Sequence, residues 1–172
     1  MSKLSQFQQD TQIAATLSAI AYLTGATQQE TFTKMAKALQ QKDLPTNQEW
    51  GLVWGPVTYE SDLMYIVQGP KIQYGRKYAV VIRGTIDTLT SVIQDLELDL
   101  VDLPRSAPDA PAGSKISHGI CEAFNRLRAM TQKFPNETLS ALDFLKKQGT
   151  RNEIMVTGHS LGGCLASVVP LW

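Results

Sequence analysis

The segment Ile154-Met155-Val156-Thr157-Gly158-His159-Ser160-Leu161-Gly162-Gly163 joins a short apolar run to a helix-like stretch through a Gly-x-Ser-x-Gly frame. Few folds accommodate it. A strand that turns this sharply into a helix brings its own backbone together at Gly158 and Gly162, two residues either side of the serine, where a Cβ would collide. The serine at the apex is held clear of the chain, which is the exposure a hydroxyl needs to act as a nucleophile beside a base. Ile154 to Thr157 reads as a buried parallel strand, and Leu161 to Leu171 has apolar positions on most sides, as a helix packed on a sheet does. A glycine-rich turn with an incidental serine is the competing reading, and the order strand, turn, helix speaks against it.

The rest of the chain supplies elements for such a sheet. Ile13, Ala14, Leu17, Ile20 and Ala21 recur at three-and-four spacing and predict a first helix, stopped by Gly25. Thr27 with Glu30 reads as a capping box for a second helix, whose face carries Phe32, Met35, Ala36 and Leu39 until Pro45 forbids more. From Gly51 the pattern changes to strands: Leu52 to Tyr59, Leu63 to Val67, then Tyr78 to Ile82. The third run lacks polar alternation and reads as a central strand covered on both faces. Ile86, Leu89, Val92, Ile93 and Leu96 fit helical spacing, and Asp95 to Leu100 alternates with period two, so a short amphipathic helix leads into an edge strand. From Pro104 to Lys115 the chain is a surface loop (104–115) with too little apolar content to pack. Ser117 then opens a helix with Ile120, Phe124, Leu127 and Met130 inward; Pro135 breaks it, and a further helix carries Leu139, Leu142 and Leu145 to Gly149. Strands, then helices, then a parallel strand point to an open α/β sheet in a single, partial domain over residues 1–172.

Charge and composition exclude several functions. The 172 residues, 43% of them hydrophobic, can bury one sizeable core. Sixteen basic and sixteen acidic side chains cancel without a Lys/Arg cluster, so no nucleic-acid partner is expected. The first ten residues are polar where a signal peptide needs an apolar core, and no window reaches the ~18 apolar residues of a membrane span, so a soluble chain of cytoplasmic or unknown location is expected. Cys121 and Cys164 fall in helical patterns and read as buried thiols of a reducing compartment. Asp95, Glu97 and Asp99 alternate onto one strand face near Asp102, a solvated edge rather than a chelating cup, and no metal is expected. Phosphate-binding, zinc and dinucleotide fingerprints are absent.

A serine at a helix N-terminus sits among unpaired backbone N–H groups that favour developing negative charge, which makes the N–H of Leu161 one oxyanion donor. A second donor must come from another loop at the carboxyl end of the sheet. The turn Arg83-Gly84-Thr85 suits this: Gly84 permits close approach, and Thr85 offers both N–H and hydroxyl. The alternative reading of Thr85 is an ordinary turn residue that caps the next segment.

These motifs, in this order, resemble the class 3 lipases, the α/β-hydrolase family of the fungal triacylglycerol lipases. The resemblance is carried by Ala21-Tyr22, by Ala79-Val80-Val81-Ile82-Arg83-Gly84-Thr85, by Asp95-Leu96, by Lys115-Ile116-Ser117-His118-Gly119 with Ala123-Phe124, and by Val156-Thr157-Gly158-His159-Ser160-Leu161-Gly162-Gly163. It implies an α/β-hydrolase-like fold with a mostly parallel sheet flanked by helices. It further implies Ser160 as nucleophile, Thr85 and Leu161 as oxyanion hole, and the stretch from Ile86 to Gln94 as a lid that a lipid interface draws open. Ser91 stands where the family has a lid tryptophan, Ile120 where it has an aromatic, and Cys164 where it has a small residue.

The triad order in this fold is Ser, then Asp or Glu, then His. After Ser160 the sequence offers neither acid nor histidine. His159 adjoins the serine, but neighbouring side chains at such a turn diverge, so packing is its expected role together with Gly158 and Gly162 in supporting the elbow. The resemblance implies a structural role for His118. The chain is therefore expected to be truncated after the nucleophile helix, with acid and base supplied by a missing C-terminal segment or a complementing chain. The expected activity is serine carboxyl-ester hydrolysis of acylglycerol or related lipid esters through an acyl-enzyme, with no cofactor. A thioesterase, amidase or peptidase on the same fold, and a non-catalytic binding module or inactive fragment, are the alternatives.

Overall fold

The computed structural model describes residues 5–84, 99–103 and 113–171. Two helices come first, α1 (Gln6–Ile20) and α2 (Gln28–Leu39), followed by the strands β1 (Gly51–Tyr59), β2 (Asp62–Ile72) and β3 (Gly75–Arg83). Short strands β4 (Leu100–Asp102) and β5 (Lys115–Ser117) pair with each other before α3 (His118–Ala129). A hairpin of β6 (Thr131–Lys133) and β7 (Thr138–Ser140) leads to α4 (Ala141–Lys147), and β8 (Glu153–Gly158) feeds α5 (Leu161–Val168).

The main sheet has the order β1-β2-β3-β8. Residues alternate between two covered faces, as expected where helices pack on both sides of a sheet. Leu63, Tyr65 and Val67 of β2 with Ala79 and Val81 of β3 face Leu17, Ile20, Met35 and Leu39 of the first two helices. Met64, Ile66, Val80 and Ile82 face the other way, into a cluster with Ile120, Phe124 and Leu127 of α3, Phe144 of α4 and Leu165 of α5. Both faces of β3 are apolar because neither sees water, and burying each such aliphatic or aromatic side chain contributes about 1.5–3 kcal/mol.

Polar side chains close the gaps between layers. The buried Tyr65 hydroxyl donates to the Leu17 carbonyl of α1 at 2.5 Å, and Trp54 donates its indole N–H to the Leu139 carbonyl at 3.1 Å, docking the β6–β7 hairpin on β1. Arg126 of α3 reaches Asp62, only 4% exposed, at 2.6 Å, so this buried carboxylate is paired.

The α/β architecture agrees with the α/β-hydrolase-like expectation, with several differences of detail. The sheet is not mostly parallel among the described residues: β1–β2 and β2–β3 are antiparallel, and β3–β8 alone is parallel. The short connections at 60–61 and 73–74 cause this, since tight links join antiparallel neighbours and parallel ones need a crossover. Strand β8 is parallel as expected but only half-buried, with Ile154 50% exposed, because among the described residues no strand lies on its outer side. Phe32 is 38% exposed rather than inward, while Met35 and Leu39 are buried. Leu139 lies in β7 and not in a helix. Cys121 is half-buried and Cys164 exposed, both as free thiols, because α5 turns the Cys164 position outward. Of the proposed surface loop 104–115, Lys115 belongs to β5, the Ser114 carbonyl accepts the Leu103 N–H at 3.0 Å, and residues 104–112 lie outside the described residues, as does the lid segment 86–94. Of the acidic group, Asp95 and Glu97 are outside the described residues and Asp102 pairs with Lys115 at 3.6 Å. Among the described residues no helix is long and apolar enough to cross a membrane.

Burial pushes the Tyr65 phenol far above its ordinary value near 10. The folded state keeps Tyr65 neutral while the unfolded chain ionises, so its contribution is complete below about pH 10 and is lost above it at about 1.4 kcal/mol per pH unit. Urea denaturation between pH 9 and 11.5 should show this slope reduced in Tyr65→Phe relative to the parent chain.

Candidate active site

The C-terminal ends of β3 and β8 lie side by side, with Ile82 opposite Gly158 in the parallel ladder. Directly beyond them the chain folds back at Ser160. Its backbone holds φ 57° and ψ −127°, a region that side-chain-bearing residues rarely occupy and that costs of order 1–3 kcal/mol. Such a conformation persists only where its surroundings over-determine it, and here the contacts that do so are specific.

Gly158 and Gly162 face each other across the turn. A Cβ on Gly158 would strike the carbonyl group of Gly162 and lie 2.6 Å from the Ile82 carbonyl oxygen. One on Gly162 would strike that same Ile82 oxygen and lie 2.9 Å from Arg83 C and Gly84 N. The obstacles are backbone and cannot rotate aside. Removing both Cβ atoms lets the first turn of α5 sit on the end of β3, and Ser160 is the residue raised between them.

The helix start is arranged as the sequence predicts. The N–H groups of Gly162, Gly163 and Cys164 are bonded to carbonyls of His159 and Ser160 at 3.0, 2.9 and 3.3 Å. Leu161 is the first residue of α5, where a backbone N–H has no intrahelical acceptor. The Ser160 side chain makes no capping bond to the helix and is exposed. Its hydroxyl is thus not consumed structurally, in contrast to Ser5, Thr27, Ser117 and Ser140, which all cap helices.

Gly84 brings the end of β3 against the elbow. A Cβ there would run into the His159 carbonyl and lie 3.2 Å from Cβ of Ser160. Thr85 lies outside the described residues, one position beyond Gly84. Arg83, 4% exposed, donates through Nη2 to the Ser61 carbonyl at 2.8 Å and anchors β3 just before this turn. Burial lowers its guanidinium from the usual value, while Tyr22 and Asp62 act to raise it.

Neither described histidine faces the serine through a bond. His159 Nδ1 is 3.2 Å from the Tyr22 hydroxyl, and the two rings meet edge-on with centroids 5.9 Å apart. His118 Nε2 lies 3.7 Å from Glu122, one turn along α3. Two residues of this neighbourhood have no role that the sequence pattern assigns. Tyr22 is one, although the Ala21-Tyr22 pair is among the residues that carry the family resemblance. The other is Ser18, whose hydroxyl is 3.1 Å from that of Thr157 and ties α1 to β8 just before the elbow.

The glycine pinch yields a contrast between neighbours. At Gly163 a Cβ would meet only Gly158, at 3.3 Å from its oxygen. Gly162→Ala is therefore expected to destabilise the chain by more than about 2 kcal/mol and Gly163→Ala by less than about 1 kcal/mol, measured by urea denaturation.

Comparison with known proteins adds independent support for the family. A search among curated proteins gave no match. The fold is similar to the crystal structure of M37 lipase, with a TM-score of 0.75 and 26% sequence identity over 99% of this chain and 54% of that one. This chain thus spans about half the length of the M37 lipase. Residues 79–172, from within β3 through the elbow and α5, match the family Lipase (class 3). With the family motif and the fold in agreement over the same residues, the chain belongs to the class 3 lipases, and its fold is the α/β-hydrolase-like fold of a lipase.

Proposed function

We propose that Ser160 is the nucleophile of a serine carboxyl-ester hydrolase that cleaves lipid esters through an acyl-enzyme. The observation that carries this reading is the serine's strained, exposed backbone position with a hydroxyl that caps nothing, beside an open helix N-terminus. Strain of this kind is retained where it presents a group. In this reading the Ser160 oxygen attacks the ester carbonyl carbon and its proton passes to a base. The N–H of Leu161 and the N–H of Thr85, the next residue in sequence after Gly84, hold the oxyanion, each such donor contributing about 3 kcal/mol to the transition state. The alcohol leaves with a proton, and water hydrolyses the ester on Ser160 to release the acid. No cofactor takes part.

The base and its acid partner belong, in this proposal, to a segment beyond residue 172 or to a complementing chain. Two facts support it: His159 is engaged by Tyr22, and the M37 lipase similarity covers about half of that protein. The half-exposed outer side of β8 is the place where added strands would continue the sheet. Residues 86–94 are proposed as the lid and contact with a lipid interface. Hydrolysis should then be faster on aggregated than on dissolved p-nitrophenyl esters of the same chain length.

A fluorophosphonate probe tests the nucleophile. We expect labelling of the protein supplied with its acid and base, and its loss in Ser160→Ala, read by intact mass. Labelling at another residue, or none in the complete protein, would sink the enzyme reading in favour of a binding module. Without the base, labelling and turnover should be slower by a factor on the order of 10^4 or more.

A further inference from the structure

Tyr22 follows the last turn of α1, with its N–H bonded to the Ala19 carbonyl at 3.1 Å. Its hydroxyl has two neighbours of interest. On one side it is 3.2 Å from Nδ1 of His159, the residue before Ser160. On the other it would lie 3.0 Å from a Cβ built on Gly84, a point only 3.2 Å from Ser160 Cβ. One phenol oxygen therefore bonds to the elbow and stands beside the space left open by the missing side chain of Gly84, the residue after β3.

We propose that Tyr22 is a positioning residue for Ser160: its hydroxyl, bonded to His159 and next to the space a side chain on Gly84 would fill, sets the width of the gap between the elbow and Gly84. This rests on the reading of Ser160 as nucleophile. The width matters because donors from both walls must reach one oxygen at about 2.7–3.1 Å. The glycines fix how close the walls come, but they act by absence and impose no attractive limit. The hydroxyl–imidazole bond supplies one, and it acts on the residue whose backbone leads into the strained φ of Ser160. The end of α1 that leads to Tyr22 is held, since Tyr65 binds the Leu17 carbonyl and Ser18 binds Thr157 there, while Tyr22 itself is 37% exposed. The bond also gives Nδ1 of His159 a fixed partner, so that nitrogen serves as an anchor for Tyr22 rather than as an acceptor of the serine proton.

The experiment uses Tyr22→Phe, which keeps the ring and removes the hydroxyl, in the full 172-residue chain labelled with nitrogen-15. The chain has two histidines, so their ring signals separate cleanly. We expect the His159 ring nitrogens to shift, those of His118 to stay, and the backbone amides of Gly84, Ser160 and Leu161 to move. Unmoved His159 ring signals, or unmoved amides at those three residues, overturn the proposal. Should the variant fail to fold, the parent chain decides: His159 held in one tautomer supports the bond, and a mixture of both tautomers, as a free imidazole shows, overturns it. In the protein supplied with its acid and base, the maximal rate of fluorophosphonate labelling should fall by about ten- to a hundredfold at unchanged half-saturating concentration. Placed on His159→Leu, the same substitution should add nothing, whereas additive losses in the two backgrounds overturn action through His159. If the parent protein does not label at all, the nucleophile reading fails by itself, and the nitrogen signals still decide the positioning role.

Discussion

The close approach of the β8–α5 turn to the end of β3 is the constraint on which the rest depends. The Ile82 carbonyl oxygen lies too close to admit a Cβ on either Gly158 or Gly162, so helix, turn and central strand meet with no side chain between them. That contact raises Ser160, opens the start of α5 beside it, and brings Gly84 within reach of the elbow. At the opposite end of the same strands, Lys77 of β3 lies 3.0 Å from Asp10 of α1 and 3.7 Å from Glu153 of β8. The pair of strands is thus pinned by steric fit at one end and by charge at the other. The half-exposed ion pair contributes less than the fit, because solvent screens it.

The glycine pinch also fixes register. Sliding β8 by one residue along β3 would bring Thr157 or His159 to the point where only a residue lacking Cβ fits. The two clusters on either face of the sheet enforce the same register, since the slip would exchange the residues that face α1 with those that face α3 and α5. Local sterics and global packing therefore select one alignment, the agreement between levels that a foldable sequence needs.

What could be read in the sequence was what depends on short-range periodicity or on steric exclusion. The β3 run 78–82 announces a strand covered on both faces, and Ser117, Thr27 and Gly158 to Gly162 announce their local geometry because caps and tight turns are settled within a few residues. Elements that depend on distant partners were less legible. Phe32 has the right helical phase, yet it is left 38% exposed while Met35 and Leu39 of the same helix are buried. Leu139 fits a helical pattern, but its carbonyl is claimed by Trp54, 85 residues away in sequence, and the segment is drawn into a hairpin. The apolar run of β8 promises burial on both sides, which requires a neighbour strand that the described residues do not include. At the site the pattern was the same: the serine and its glycines declare themselves, while the Tyr22–His159 bond spans 137 residues and leaves no local trace.

The Tyr65 phenol acquires a second meaning from its position. It grips the Leu17 carbonyl, which also accepts the N–H of Ala21, the residue before Tyr22. The last turn of α1 is therefore referenced to the middle of β2, and the phenol at its end inherits that reference. Geometry at the serine is in this sense transmitted through the hydrophobic interior rather than assembled at the surface. A change of side chain at Leu17 or Tyr65, both fully buried, would under the positioning role proposed for Tyr22 be felt at Ser160 as a shift of the elbow.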